Sequence, residues 1–299
     1  PTRLRDHGCE IIGGLGLLLA VESVHNPAKA EIYRPHIKQM LDTILENGTN
    51  EDGIMYDTLG RTGRLSDGWG YNYVGYLCYD MAVGKSVYRD RMEQTLRNLG
   101  KARYRNGWGR GEGGNIDEVA DSVEGGLYLL NRLPVAEGLA WADHEVMTNI
   151  VYMDREDHLW GTMKLQSNGV RTAIMHALMH TRGTIARPWR QGLKLGAIDV
   201  DGGSEILLTS DKPYEGKLVF DIPRHRHYLG FKQDWPRMNT LPEWFTVEPD
   251  DTRYTVHNVI DNTGRTITGA ELRKGLPVKV APNKPLRLKV ALEKSPARF

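Results

Sequence analysis

Cysteine is nearly absent from this chain. Two residues in 299, Cys9 and Cys78, cannot build a disulfide framework, and neither sits in a cluster with metal-ligand spacing, so both are expected as buried free thiols. Surplus charge is absent too. With 39 Lys and Arg against 38 Asp and Glu, no basic excess recruits nucleic acid and no acidic excess marks a solvating tail. The longest apolar run, Ile11 to Val21, is broken by Gly13, Gly14 and Gly16 and is too short to span a bilayer, so a buried helix and no membrane partner are expected. No charged-then-apolar leader precedes that run and the chain opens with Pro1, as expected of a processed or truncated polypeptide. Nucleotide and metal signatures are lacking as well. Gly107 to Gly114 neither follows a strand nor carries a phosphate-loop Lys and reads as a loop over a cleft; His225 and His227 would share one face of a strand without a third ligand. No cofactor and no metal are expected.

What is present is organised around Arg64 to Met81, where a Gly- and Asp-punctuated loop opens onto a helix whose apolar positions Tyr73, Tyr76, Leu77 and Met81 share one face. Arg64, Asp67, Trp69, Tyr71, Asn72 and Tyr73 crowd that helix start. A cation, a carboxylate, an amide and phenols together have the composition of a sugar-binding or uronate-handling cleft.

The chain around it is long enough for one large or two ordinary domains, and its 40% hydrophobic and 26% charged content is that of a soluble globular protein. Asp6 to Val24 reads as a Gly-rich helix and Ala28 to Glu46 as an amphipathic partner; Asp67 to Ala82 and Tyr88 to Arg103 repeat the pattern. A third pair follows at Ile116 to Leu133 and Leu139 to Met153, and a last helix at Val170 to Thr181. The Gly-rich helices begin about every 50 to 60 residues behind polar loops, the alternation of an α/α toroid, here incomplete with three and a half hairpins. After Pro188 the pattern turns to short alternating runs at Leu193–Ile198, Glu205–Thr209, Gly216–Asp221, His227–Phe231, Arg253–Val259, Arg265–Thr268, Leu276–Val280 and Leu286–Leu292. The fold expected is therefore α+β and multidomain: a toroid-like helical domain over 1–188, then an antiparallel β-sandwich over 189–299.

In a toroid the starts of the inner helices converge on one mouth. That would gather Asp6, His7 and Glu10, the Arg64–Tyr73 group, Asp117, Glu118, Asp121 and Glu124, and Asn168 with Arg171. Two chemistries fit. β-Elimination in a uronic-acid polysaccharide needs groups that neutralise the carboxylate, a base for the C5 proton and an acid for the leaving oxygen, and His7, Arg64, Asn72 and Tyr71 or Tyr73 supply one set. Glycoside hydrolysis needs two flanking carboxylates, which Asp67 with Asp121 or Glu124 would provide, although acids near helix starts are also favoured by the helix dipole. A third reading is a non-catalytic carbohydrate binder, with Trp69, Trp108, Tyr71 and Tyr73 as stacking platforms.

Asp6-His7-Gly8 at a helix start, followed by Arg64 and then Tyr71-Asn72-Tyr73, resembles α/α-toroid polysaccharide lyases of the alginate, glucuronan and heparinase-like group over about residues 5 to 82. The resemblance implies His7 as neutraliser or base, Tyr71 or Tyr73 as base and acid, and Arg64 as the cation that lowers the tyrosine pKa. Spacing from Arg64 favours Tyr71, whereas the Asn-Tyr dipeptide favours Tyr73. The family's Asn is Asp6 here, and an ionised Asp would repel a uronate. The expected activity is a carbon–oxygen lyase acting on an acidic polysaccharide or oligosaccharide, with Asp67, Trp69, Asn72, Trp108, Asp121, Glu124, Asn168 and Arg171 binding substrate. A polymer too large to import implies an extracellular or periplasmic location. Oligomeric state is not legible.

Overall fold

Helices form in the first half of the chain wherever apolar residues recur three and four apart, and their ends fall at the expected punctuation. In the computed structural model, which describes residues 2–105, 116–150, 167–233 and 244–293, α1 spans His7–His25 and α2 Pro27–Asn47. Asn26 separates them, its side chain accepting from the Lys29 amide while Pro27 takes the first helical position, where a missing N–H costs nothing. Helix α3 covers Trp69–Val83 and ends on Gly84 at φ 64°, a left-handed cap that glycine adopts without a Cβ penalty. Helices α4 (Arg89–Asn98), α5 (Ile116–Leu130), α6 (Ala136–Glu145) and α7 (Ser167–His180) follow.

Three expected helices end early, α5 at Leu130 against an expected Leu133. The run to Arg103 stops at Asn98 and resumes as a 3-10 turn at Ala102–Tyr104 after Gly100, and α6 passes into a π-helical turn at Val146–Ile150. The remainder of the run to Met153, like Trp108 and the Gly107–Gly114 loop, lies outside the described residues.

The chain divides into two units, the first taking residues up to 176. Within it α1 packs on α3 and α3 on α5, while α2 covers α1 and α6 covers α5. Glycine makes the first two contacts possible. A Cβ on Gly16 would stand 2.5 Å from the Gly75 carbonyl oxygen, and one on Gly70 would stand 2.2 Å from the Gly125 carbonyl carbon. Backbone thus meets backbone. The core beside these contacts is aromatic: Trp69 and Trp141 are fully buried and meet edge to face, with ring centroids 6.1 Å apart.

The second unit, residues 177–233 and 244–293, carries two antiparallel sheets. One is ordered β1 (Ile185–Arg187), β4 (Tyr214–Val219), β7 (Leu276–Val280); the other is β2 (Leu193–Val200), β3 (Gly203–Ser210), β8 (Leu286–Leu292), β5 (Arg253–Asn258), β6 (Thr263–Thr268). Asp201-Gly202 closes the β2–β3 hairpin, with Val200 paired to Gly203 and Gly202 at φ 64°. One hydrophobic cluster draws Leu218, Leu276 and Val278 from the smaller sheet and Ile206, Leu208, Tyr254 and Val290 from the larger. Period-two alternation delivers those residues, as in the buried–exposed–buried–exposed–buried order of β7.

Seven of the eight expected strand runs lie on strands. The exception is His227–Phe231, which belongs to a short helix, α8 (Arg224–Leu229), that opens after Pro223 and closes on Gly230 at φ 66°. His225 and His227 are therefore two apart on a helix and not on one face of a strand, and His227 Nε2 lies 3.0 Å from Glu248 Oε2. Strand β1 and helix α9 (Gly269–Lys274), with its Thr268/Glu271 capping box, were not expected.

Candidate active site

The helix starts of the first unit meet at one end of α1, α3 and α5, around a cavity of about 390 Å³. From the start of α1 come Asp6, His7, Cys9 and Glu10, with Arg3 just before it; Asp67, Gly68 and Tyr71 come from the start of α3, and Asp121 from α5. Helix α7 joins from behind. Its Thr172 hydroxyl donates to the Ala120 carbonyl at 3.1 Å, which sets Asn168 and Arg171 against the α5 acids.

Asp121 is the most heavily contacted acid that lines the cavity. Its Oδ1 accepts from the Tyr71 hydroxyl at 3.4 Å, from Asn168 Nδ2 at 3.3 Å and from Arg171 Nη2 at 3.4 Å, whereas Oδ2 has no hydrogen-bond partner among the described residues. Burial, followed by the charges of Asp117, Glu124 and Asp67, pushes the Asp121 carboxyl up to about 7, with Arg171 pulling the other way. A carboxyl raised this far suits proton transfer near neutral pH. Asp67 makes no hydrogen bond or ion pair among the described residues. Its pKa is also raised, by burial first and then by Asp57 and Asp6, against the pull of Arg5 and Arg64.

Glu124 lies one turn further along α5 and is fully buried. Its Oε2 takes Arg171 Nε at 2.5 Å and its Oε1 takes the Tyr128 hydroxyl at 3.0 Å. Burial raises its pKa while Arg171, Tyr128 and Tyr71 draw it down. It sits behind the cavity wall as the anchor for Arg171. Asn168 also donates to Asp117 Oδ1 at 2.5 Å, so one amide bridges two of the acids.

The tyrosines separate. Tyr71 is on the wall, and burial with Glu124 and Asp121 nearby lifts its pKa well above the ordinary phenol value, so it is a hydrogen-bond donor here. The cation beside it is Arg171. Tyr73 points the other way into the core, its hydroxyl donating to the Gly53 carbonyl at 2.7 Å and lying 3.2 Å from Thr95 Oγ1. It has no route to a substrate. Asn72 is likewise fully buried, donating to the Leu4 and Gly68 carbonyls at 2.7 and 3.0 Å, and it ties the N-terminal segment to α3. Trp69 is core, its indole N–H on the Ser122 hydroxyl at 3.0 Å, and offers no stacking face.

Arg64 is a strut. Its guanidinium binds Asp57 Oδ2 at 3.0 Å and also Glu118, and Asp57 takes Arg5 Nη1 at 3.3 Å. His7, by contrast, has a side chain 95% exposed on the cavity rim, Nδ1 3.2 Å from Glu10 Oε2. Asp6 holds φ at 48°, a left-handed conformation unusual for a residue with a side chain, and is tied down by Arg3 and by Arg5 Nε at 3.1 Å.

Both cysteines are buried free thiols. Cys9 lines the cavity, but burial and the neighbouring Glu10, Asp67 and Asp121 push it up to about 12, which keeps it a neutral thiol. Sequence reasoning did not single out Arg3, Arg5, Asp57 or Tyr128. Arg3 and Tyr128 lie only three and four residues from Asp6 and Glu124, but no motif marks them, and the Arg5–Asp57 pair is brought together across 52 positions only by folding. No family model, curated protein or solved structure matches this chain.

Proposed function

We propose that the first unit is a glycoside hydrolase in which Asp121 and Asp67 form the acid–base pair. The observation that carries this reading is that two carboxyls with raised pKa values line one cavity, one held by three donors on a single oxygen and the other without a bonded partner among the described residues. Three donors on Oδ1 make it the acceptor oxygen, so the proton of Asp121 resides on Oδ2. From there it passes to the glycosidic oxygen as the C–O bond breaks. Asp67 then either takes a proton from the attacking water or bonds to the anomeric carbon. Its raised pKa suits the first role.

β-Elimination on a uronate is the second reading, supported by His7 and Tyr71 lining the same cavity. Against it stand the upward shift of the Tyr71 phenol and the carboxylates of Asp6, Glu10 and Asp67, which repel a uronate. A purely binding role has lost Trp69 as a platform to the core. The glycine contacts along α1, α3 and α5 support an incomplete α/α toroid with these as inner helices, and the hydrophobic cluster shared by the two sheets supports a β-sandwich. A polysaccharide substrate would place the protein outside the cytoplasm.

The test is incubation with neutral and acidic polysaccharides, following reducing ends and ultraviolet absorbance together. New reducing ends without absorbance are expected. Absorbance from a C4–C5 double bond would return the assignment to elimination, and silence in both channels with folded protein would overturn catalysis on these polymers.

A further inference from the structure

The guanidinium of Arg171 touches two carboxylates at once. Nε and Nη2 grip Glu124, and Nη2 also reaches Asp121 Oδ1 at 3.4 Å. Two features make this geometry rigid: α7 is pinned to α5 by the Thr172–Ala120 hydrogen bond, and Tyr128 fixes the far oxygen of Glu124. Glu124 has no exposure to water, so an ionised state there depends on the fork of cationic donors. Asp121 receives only the long arm. From these contacts we infer that Arg171 is a positioning residue that keeps Glu124 the ionised member of the pair and leaves the exchangeable proton on Asp121. The inference deepens the acid–base reading and rests on it for its catalytic meaning, but not for its test.

Every neighbouring element contributes to the balance at Asp121. Asp117 and Glu124 come from its own helix, Tyr71 and Asp67 from α3 and the loop before it, Cys9 from α1, and Asn168 with Arg171 from α7. Three of these, Asp117, Glu124 and Asp67, are carboxyls, and Arg171 is the one cation within hydrogen-bond reach of Asp121 among the described residues. Without it, two carboxyls one helical turn apart would share a proton and titrate as a coupled pair.

Carbon-13 carboxyl NMR titrations of the wild type, Arg171→Gln, Arg171→Lys and Glu124→Gln test this without any substrate. In the wild type Glu124 is expected to titrate below Asp121. In Arg171→Gln its midpoint should rise by about one pH unit or more and merge with that of Asp121, and Arg171→Lys should fall between, since one ammonium cannot span both carboxylates. Glu124→Gln frees the guanidinium for Asp121, whose midpoint should fall by about one unit or more. That variant keeps the question decidable if Arg171→Gln does not fold. A Glu124 midpoint unmoved by Arg171→Gln, or an Asp121 midpoint unmoved by Glu124→Gln, overturns the inference. If no polysaccharide is cleaved but the midpoints move as stated, the hydrolase reading falls and the role of Arg171 stands.

Discussion

Asp121 differs from the other acids of the cavity in taking three donors, all on one oxygen. Replacing it by Asn keeps the Oδ1 acceptor and removes the proton, so Asp121→Asn should lower hydrolysis by roughly 10²- to 10⁴-fold with an unchanged circular dichroism spectrum. Asp67→Asn should fall in the same range, measured as initial rates of reducing-end release. Stability carries a second signature. The folded pKa of Asp121, about 7, is above the 3.8 of an unperturbed Asp, so the folded state holds a proton that the unfolded chain releases. The stabilisation from that proton is complete below about 3.8 and is lost as pH rises to about 7, with a slope of up to about 1.4 kcal/mol per pH unit. Urea unfolding between pH 4 and 7 should show wild type losing stability relative to Asp121→Asn as pH rises; a pH-independent difference would sink the assignment. At this scale the sequence was half legible. It offered Tyr71 and Tyr73 on equal terms, yet residues two apart on a helix face opposite sides, so only one could line the cavity. Which one depends on where α5 packs.

Glycine carries the packing of the helices. In an exposed helix Gly→Ala is worth about 1 kcal/mol of added stability. Gly14 fits that case, since a Cβ there meets nothing within 4 Å, and Gly14→Ala should raise the unfolding midpoint. Gly70→Ala should do the reverse, because its Cβ would stand 2.2 Å from the Gly125 backbone, and a loss of about 1–3 kcal/mol is expected. Equal responses in chemical denaturation would refute glycine-mediated contact between α3 and α5. The helices themselves were readable because their 3.6-residue period is local, and seven of eight strand runs because alternation is local too. His227 to Phe231 misled because a short alternating run says nothing of its partners. With Pro223 before it and Gly230 after it, the segment closes into a helix instead.

Over the whole molecule the charges nearly cancel, leaving a formal +1 at pH 7 and an isoelectric point near 8.2. Self-association measured by light scattering should therefore peak near pH 8 and decline toward pH 6 as net positive charge grows. The local charge is far from balanced, since carboxylates gather at one mouth while basic residues stand around them as Arg3, Arg5, Arg64 and Arg171. By itself the sequence determined what periodicity, punctuation and composition can carry: a helical first part with glycine-bearing helices, a β-rich C-terminal part, free thiols, and polar residues at the starts of α1, α3 and α5. Tertiary structure alone decided which of those polar residues face the cavity, that Arg64 braces the loop before α3 against α5, that Arg171 stands beside the tyrosine, and that burial among other acids raises the Asp121 carboxyl. The physical reason is that burial and pairwise charge arise between residues some fifty positions apart, such as Arg171 and Asp121, and no local pattern encodes that distance.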